Sequence, residues 1–281
     1  MNGRICIVTG ATHGIGFATA RELAARGATV LVHGRDLERA TAAAAQIRRD
    51  TGNAEARPIQ ADFAELAQVR RLAQQLAASL PRLDVLINNA GLMSGTHAQS
   101  ADRYELTFAV NHLAPFLLTN LLLDKLKASA PARVIVVSSE AHRRSRLEFG
   151  DLMNTAGAGA MTTYARSKLA NALFARALAA RLAGSGVTVN SLHPGVVATH
   201  LFHDSPLPLR ALLASFGRLF MLSAAQGART SVYLATAPEL AGCSGGYYRD
   251  CRLDTPSRAA QSDADAARLW QESARLTGIA A

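Results

Sequence analysis

The chain has 281 residues, of which 49% are hydrophobic and 18% charged, and it carries a formal net charge of +9. Such a length and apolar content suit one α/β domain with its own core and exclude a disordered chain, and no uninterrupted apolar run reaches the length of a membrane span. The basic excess is scattered along predicted helices, with Arg143-Arg144-Ser145-Arg146 the longest cluster; it reads as solvated faces and not as a nucleic-acid surface, although its field would favour an anionic cofactor.

Taken in order, the apolar periodicity predicts a strand at 5–8, a helix at 15–26, a strand at 29–33, a helix at 37–49, a short strand at 56–60 and a helix at 65–79. A strand at 85–87 follows, then helices at 102–111 and 115–127, a strand at 133–138, a long helix at 163–183 and a strand at 187–192. Tyr247-Tyr248 opens a short last strand, and Trp270 with Leu269 and Leu276 forms the inner stripe of a C-terminal helix. Strands separated by helices of this length predict βαβ units and a Rossmann-type doubly wound parallel sheet with helices on both faces. The strands are apolar along their length, as both-face burial requires. No internal repeat or linker interrupts the pattern, so one domain over 1–281 is expected. The first strand starts almost at once and leaves no room for a signal peptide, which predicts a cytoplasmic protein. Three cysteines (Cys6, Cys243, Cys251) match neither a disulfide framework nor a zinc site.

Between the first strand and first helix runs Thr9-Gly10-Ala11-Thr12-His13-Gly14-Ile15-Gly16. Glycines there permit a tight turn and close approach of backbone to a phosphate, and the helix start offers free N–H groups to the anion. The second strand ends Val32-His33-Gly34-Arg35-Asp36. An acidic side chain at that end would bind a free ribose 2′-hydroxyl; Gly34 offers none, and Arg35 offers a guanidinium that can fork onto a 2′-phosphate. The reading is therefore NADP(H) favoured over NAD(H), with His13 able to join the same pocket. Arg35 as a solvated loop residue and Asp36 as a plain helix N-cap is the competing reading.

Far downstream lies Tyr164-Ala165-Arg166-Ser167-Lys168. Moving a hydride between a carbinol and a nicotinamide also requires moving the hydroxyl proton, so an acid/base must sit beside the oxygen. Tyrosine titrates near 10, and bringing it to neutrality takes about 4 kcal/mol. One ammonium about 4 Å away supplies about that much at an effective dielectric near 20. Tyr164 and Lys168 are four apart on a predicted helix and share a face. Only three of the 30 basic residues are lysines (Lys125, Lys127, Lys168), which makes a chance pairing uncommon.

Four segments together resemble the short-chain dehydrogenase/reductase family in its compact form: the 9–16 loop, Asn88-Asn89-Ala90-Gly91, Ser138-Ser139 and Tyr164 with Lys168. Pro194-Gly195 is similar to the family's cofactor-side turn, and the resemblance runs from about residue 4 to about residue 200. Within the family, 110–116, Ser138-Ser139-Glu140-Ala141-His142 and the long interval between Ser139 and Tyr164 resemble the retinol-dehydrogenase-like branch. The resemblance implies a catalytic set of Asn111, Ser139, Tyr164 and Lys168: Tyr164 as acid/base, Lys168 lowering its pKa, Ser139 holding the substrate oxygen and Asn111 supporting a water relay. Ser138 competes with Ser139, and the family pattern favours the second serine of the pair. The resemblance also implies a cofactor site of Gly10, Thr12, His13, Gly14, Ile15, Gly16, Arg35, Asp62, Phe63, Asn89, Ala90, Gly91, Tyr164, Lys168, Pro194, Gly195, Val197 and Thr199. Asp62 would meet the adenine amine and could equally cap the following helix; Thr199 would meet the carboxamide.

The expected activity is hydride transfer between NADP(H) and a lipophilic aldehyde or ketone, with no metal and no nucleic acid, and with the protein as a monomer, dimer or tetramer. The competing class is a non-catalytic NADP-binding regulator on the same fold, which would need the loop and Arg35 but not the tyrosine–lysine pair. A sugar-nucleotide epimerase of the extended type would need more chain after Pro194-Gly195. His200 and His203 lack convergent ligands for a metal. The apolar 206–222 segment reads as a substrate lid, a core-packed helix pair or, with Arg210 and Arg218 at its flanks, a membrane-surface element.

Overall fold

The computed structural model describes residues 1–95, 98–154, 156–195 and 222–280. Its centre is an eight-stranded sheet in the order β3-β2-β1-β4-β5-β6-β7-β8. The strands are β1 (Ile5–Val8), β2 (Thr29–Gly34), β3 (Ala56–Gln60), β4 (Val85–Asn88), β5 (Ala132–Val137), β6 (Val187–His193), β7 (Tyr247–Arg249) and β8 (Arg252–Asp254). All neighbouring pairs are parallel except β7 with β8. The chain builds outward from β1 to β3, then returns to lay β4 on the other side of β1. This reversal opens a crevice beyond the carboxyl ends of β1 and β4, where open α/β sheets bind ligands.

Both faces of the sheet are covered, and the pleat assigns alternate residues to each. Ile7, Leu31, Leu86, Val134 and Val136 face one apolar cluster with α3 (Leu66–Ser79), α5 (Ala114–Leu121), α7 (Ala160–Arg181) and α9 (Asp263–Thr277). Cys6, Val8, Val30, Val32, Ile87 and Ile135 face the other, with α1 (Gly14–Ala25), α2 (Leu37–Thr51) and α8 (Ala224–Thr236). Among the described residues, two short α-helices complete the set, α4 (Leu106–Phe108) and α6 (Leu123–Ala128).

Several boundaries depart from the periodicity for local reasons. The helix expected at 102–111 begins only at Leu106, where the buried Glu105 carboxylate accepts the N–H groups of Thr107 and Phe108. It then widens into a π turn, Ala109–Leu113, before continuing as α5. The stretch expected as one helix over 115–127 breaks at Leu122. The last strand expected at Tyr247-Tyr248 extends into a hairpin, with Asp250 and Cys251 at positive φ turning the chain into β8. Helix α8 had no counterpart in the sequence reading; Ser223 and Gln226 form a reciprocal capping box at its start.

Candidate active site

The glycine loop lies in the crevice between β1 and α1. A Cβ on Gly16 would overlap the Gly10 carbonyl and stand 2.5 Å from Asn89 Nδ2, and one on Gly10 would stand 2.8 Å from Ala90 Cα. Neither position tolerates a side chain, so the two segments meet backbone to backbone. Three further bonds hold them: Thr9 Oγ1 accepts the N–H groups of Asn89 and Ala90, and Asn89 Nδ2 donates to the Thr9 carbonyl. No side chain caps α1, and no acidic residue lies in its first turn, where Gly14 and the half-buried Ile15 sit. The backbone therefore fits a pyrophosphate: space kept by glycine, free N–H groups, and no competing carboxylate.

The adenosine end lies beyond β2 and β3. Gly34 packs on Thr12, where a Cβ would come within 2.5 Å of Thr12 Cγ2. Thr12 Oγ1 and His13 Nδ1 are 3.0 Å apart. Arg35 is exposed, and among the described residues no carboxylate pairs with it. Asp36 is indeed the N-cap of α2, accepting the Arg39 N–H at 2.9 Å. Asp62 accepts the Ala64 N–H and is not the cap of α3, which is Glu65. The Phe63 side chain is buried in the core against His33, ring centroids 4.4 Å apart, so any part it plays at the site comes through its backbone.

The catalytic candidates converge at the ends of β4 and β5 and the start of α7. Tyr164 and Lys168 are both buried, with Lys168 Nζ 5.6 Å from the centre of the Tyr164 ring and bonded to the Val137 carbonyl at 3.1 Å. Burial lowers the Lys168 pKa to about 8. Burial raises that of Tyr164, opposed by a hydrogen bond with Ser139. The expected lowering of Tyr164 is thus not what the protein alone provides: removal of the phenol from water outweighs its neighbours. The two serines have separate duties. Ser138 Oγ donates to the Lys168 carbonyl at 2.7 Å and so ties β5 to α7, which leaves Ser139 facing Tyr164.

Asn111 sits in the π turn, fully buried. Its Oδ1 accepts the Leu92 N–H at 2.7 Å, and its Nδ2 donates to the Leu92 carbonyl and to Ser167 Oγ. Ser167 in turn donates to the Tyr164 carbonyl at 2.7 Å. A Cβ on Gly91 would stand 3.3 Å from both Asn111 Oδ1 and Lys168 Nζ, so both side chains crowd against Gly91, beyond β4. Widened turns of this kind occur often at functional positions.

Two histidines brace this site, His142, which the sequence reading named only as part of a motif, and His193, which it did not name. His142 Nδ1 donates to the Ser139 carbonyl at 2.6 Å, and its Nε2 accepts the Ser257 N–H. His193 Nδ1 accepts the Glu140 N–H. For His193 the signal was available, since it ends the strand over 187–193 and a buried ring needs partners; His142, beside Arg143-Arg144, offered no such pattern. Pro194 and Gly195 follow β6, with Gly195 at φ +84. Val197, Thr199, His200, His203 and residues 206–221 lie outside the described residues.

The short chain dehydrogenase family model matches residues 4–207. The chain belongs to that family. Retinol dehydrogenase 13 of Homo sapiens is 45% identical, over 99% of this chain and 86% of its own length. Retinol dehydrogenase 14 of Homo sapiens is 42% identical, over 99% and 88%. Among solved structures, an uncharacterised protein from Mycobacterium paratuberculosis superposes with a TM-score of 0.79 at 34% identity, covering 99% of this chain and 94% of that one. The Pseudomonas aeruginosa RhlG/NADP active-site complex gives 0.70 at 30% identity, covering 88% and 94%. The resemblance to the retinol-dehydrogenase-like branch is thus borne out, and the chain is an oxidoreductase that uses a nicotinamide dinucleotide on an alcohol/carbonyl pair.

Proposed function

We propose that this dehydrogenase reduces a lipophilic aldehyde or ketone with NADPH, and that Ser139, Tyr164, Lys168 and Asn111 are its catalytic set. The observation that carries the reading is the buried Tyr164 phenol beside Ser139, with the Lys168 ammonium 5.6 Å from its ring. When bound, the dinucleotide supplies or accepts the hydride. Ser139 holds the carbonyl oxygen, and Tyr164 gives that oxygen its proton. Because burial keeps the phenol protonated, it is poised as an acid, which suits reduction. Lys168 stabilises the phenolate left behind, and Asn111 fixes the Leu92 and Ser167 contacts that position Lys168 and Tyr164.

The loop (Gly10, Thr12, His13, Gly14, Ile15, Gly16), Asn89, Ala90 and Gly91 would hold the pyrophosphate side, and Asp62 the adenine. Arg35, exposed and unpaired by any described carboxylate, would take a ribose 2′-phosphate, which is why NADP(H) is preferred in this reading. Pro194, Gly195, Val197 and Thr199 would line the nicotinamide side. Relatives named for retinol, a lipophilic alcohol, support a nonpolar substrate. We place the enzyme in the cytoplasm as a single domain acting without nucleic acid; its three cysteines are all free thiols, as a reducing compartment keeps them. The test is NADPH consumption over a panel of apolar and polar carbonyl compounds, with Tyr164→Phe alongside. Turnover confined to apolar members and lost in the variant supports the reading; NADH-only turnover, or activity surviving in the variant, overturns it.

A further inference from the structure

The glycine loop is held at its base by a residue of β2. His33 is buried, 3% exposed, near the end of β2 beside Ile59 of β3. Its Nδ1 accepts the Gly10 N–H at 3.1 Å. Since that nitrogen accepts, the neutral ring carries its proton on Nε2, which donates to the Ala61 carbonyl, also at 3.1 Å. The Phe63 ring lies against it, centroids 4.4 Å apart. One imidazole therefore connects three pieces of backbone: the turn after β1, the end of β2 and the end of β3. Gly10 opens the phosphate loop, while Ala61 immediately precedes Asp62. Burial holds His33 neutral, with a pKa lowered to about 4; Asp62 is the charged group that opposes the shift, and by too little to reverse it.

We propose that His33 is a positioning residue for the cofactor: its Nδ1 fixes the Gly10 turn in the conformation that receives the pyrophosphate, while its Nε2 sets the distance from that turn to the adenine-side segment. The inference rests on the reading of the 9–16 loop as the dinucleotide site. Backbone bonds already tie the neighbouring residues, Ala11 N–H to the His33 carbonyl at 2.8 Å and Ala61 N–H to the Gly34 carbonyl at 3.2 Å; the ring serves the Gly10 N–H itself, on a residue at φ +62. Leaving that N–H unpaired in a buried site is costly, and turning it outward would change the loop itself.

Two variants separate the functional half of the bridge from the structural half. In His33→Asn the side-chain oxygen can take the place of Nδ1 and keep the Gly10 bond, while Ala61 loses its donor. In His33→Gln the longer amide can reach Ala61, and Gly10 loses its acceptor. NADPH and NADH dissociation constants would be measured by fluorescence titration, with kcat and thermal midpoints for wild type and both variants. We expect both variants to melt lower than wild type. His33→Asn should bind both cofactors within about threefold of wild type, whereas His33→Gln should bind both about tenfold more weakly, the effect of one buried hydrogen bond. The NADPH/NADH ratio should stay constant, and kcat at saturating cofactor should change little. If the two variants lose affinity equally, in step with their melting points, or if neither loses affinity, His33 is a core residue only and the inference is overturned. If wild type binds neither cofactor, the nucleotide reading of the loop falls as well.

Discussion

The two ends of the crevice are built on opposite principles. At the catalytic end nearly every polar group is spent inward: Asn111 on Leu92 and Ser167, Ser138 on the Lys168 carbonyl, Lys168 on the Val137 carbonyl, His142 on Ser139 and Ser257. These groups ride on β5, α7 and the π turn, which are locked by core packing, including His112 bonded to Ser273 of α9 at 2.8 Å among Phe108, Phe116 and Phe174. At the adenosine end Arg35, the group we propose to take a 2′-phosphate, stands exposed on a loop. Chemistry that must place a proton within a fraction of an ångström needs the first construction. Selection between two cofactors needs only a charge of the right sign within reach, and the second suffices.

The sharpest way to break this contrast is at the catalytic end. Tyr164→Phe removes one oxygen from a buried site and leaves the fold and the loop intact. Turnover should fall by about 10²–10⁴, the usual worth of a positioned acid/base, while NADPH affinity stays within about threefold. Steady-state kinetics paired with binding titrations check both halves; a joint loss of binding and turnover would mean that the two ends are not separable.

At the adenosine end, Arg35→Asp should leave kcat alone and move affinity. Loss of a charge-assisted contact, together with repulsion of a 2′-phosphate, should shift the NADPH/NADH preference toward NADH by about 10- to 100-fold. An unchanged ratio would show that Arg35 is only a solvated residue beside the Asp36 cap. Because the group is exposed, the preference of the unaltered enzyme should also weaken with added salt.

Both ends were legible in the sequence to different depths, for physical reasons. Tyr164 and Lys168 could be paired because a helix converts a spacing of four into contact. The glycine loop could be placed because a strand, a turn and a helix follow one another locally. The π turn at Asn111 could not, since a widened turn is set by what packs on it, here Leu92, Ser167 and α9, all distant in sequence. Strand β8 was invisible because Leu253 is 71% exposed and its pairing depends on the Asp250-Cys251 turn. His33 was visible as a letter within a strand, but its partners, Gly10 and Ala61, lie in the turns that follow two other strands. Lys168 could be named, but not the balance at Tyr164, where burial works against the ammonium.

That balance has a pH signature. Lys168 acts as an ammonium, and burial brings its pKa to about 8. As pH rises through 8 the charge is lost, so kcat/KM for reduction should decline on the alkaline side, approaching tenfold per unit once well above the pKa. The NADPH-driven rate measured from pH 6 to pH 10 checks this. A flat profile to pH 10 would mean that bound cofactor restores the full lysine pKa. Arg35→Asp should keep the same limb, because Lys168 lies at the other end of the crevice.

A separate effect lies in stability on the acid side, and it again divides the two ends. His33 below the loop and His112 below the π turn are each buried neutral, with pKa values lowered by burial from 6.5 to about 4. A lowered folded pKa means that the unfolded chain binds the proton first. Between pH 6.5 and pH 4 the unfolded state therefore holds more protons, and stability falls as pH falls through that window, by about 1.4 kcal/mol per unit for each imidazole. Above pH 6.5 both rings are neutral in either state and contribute no slope. Urea unfolding at intervals across the window should show these two among the groups that set the slope. In His33→Asn the slope should drop by one proton while the contribution of His112 remains, so the loop end loses its acid sensitivity and the catalytic end keeps it. An identical slope in the variant would mean that His33 is already free to take its proton in the folded protein, with the Gly10 bond too weak to hold the ring neutral.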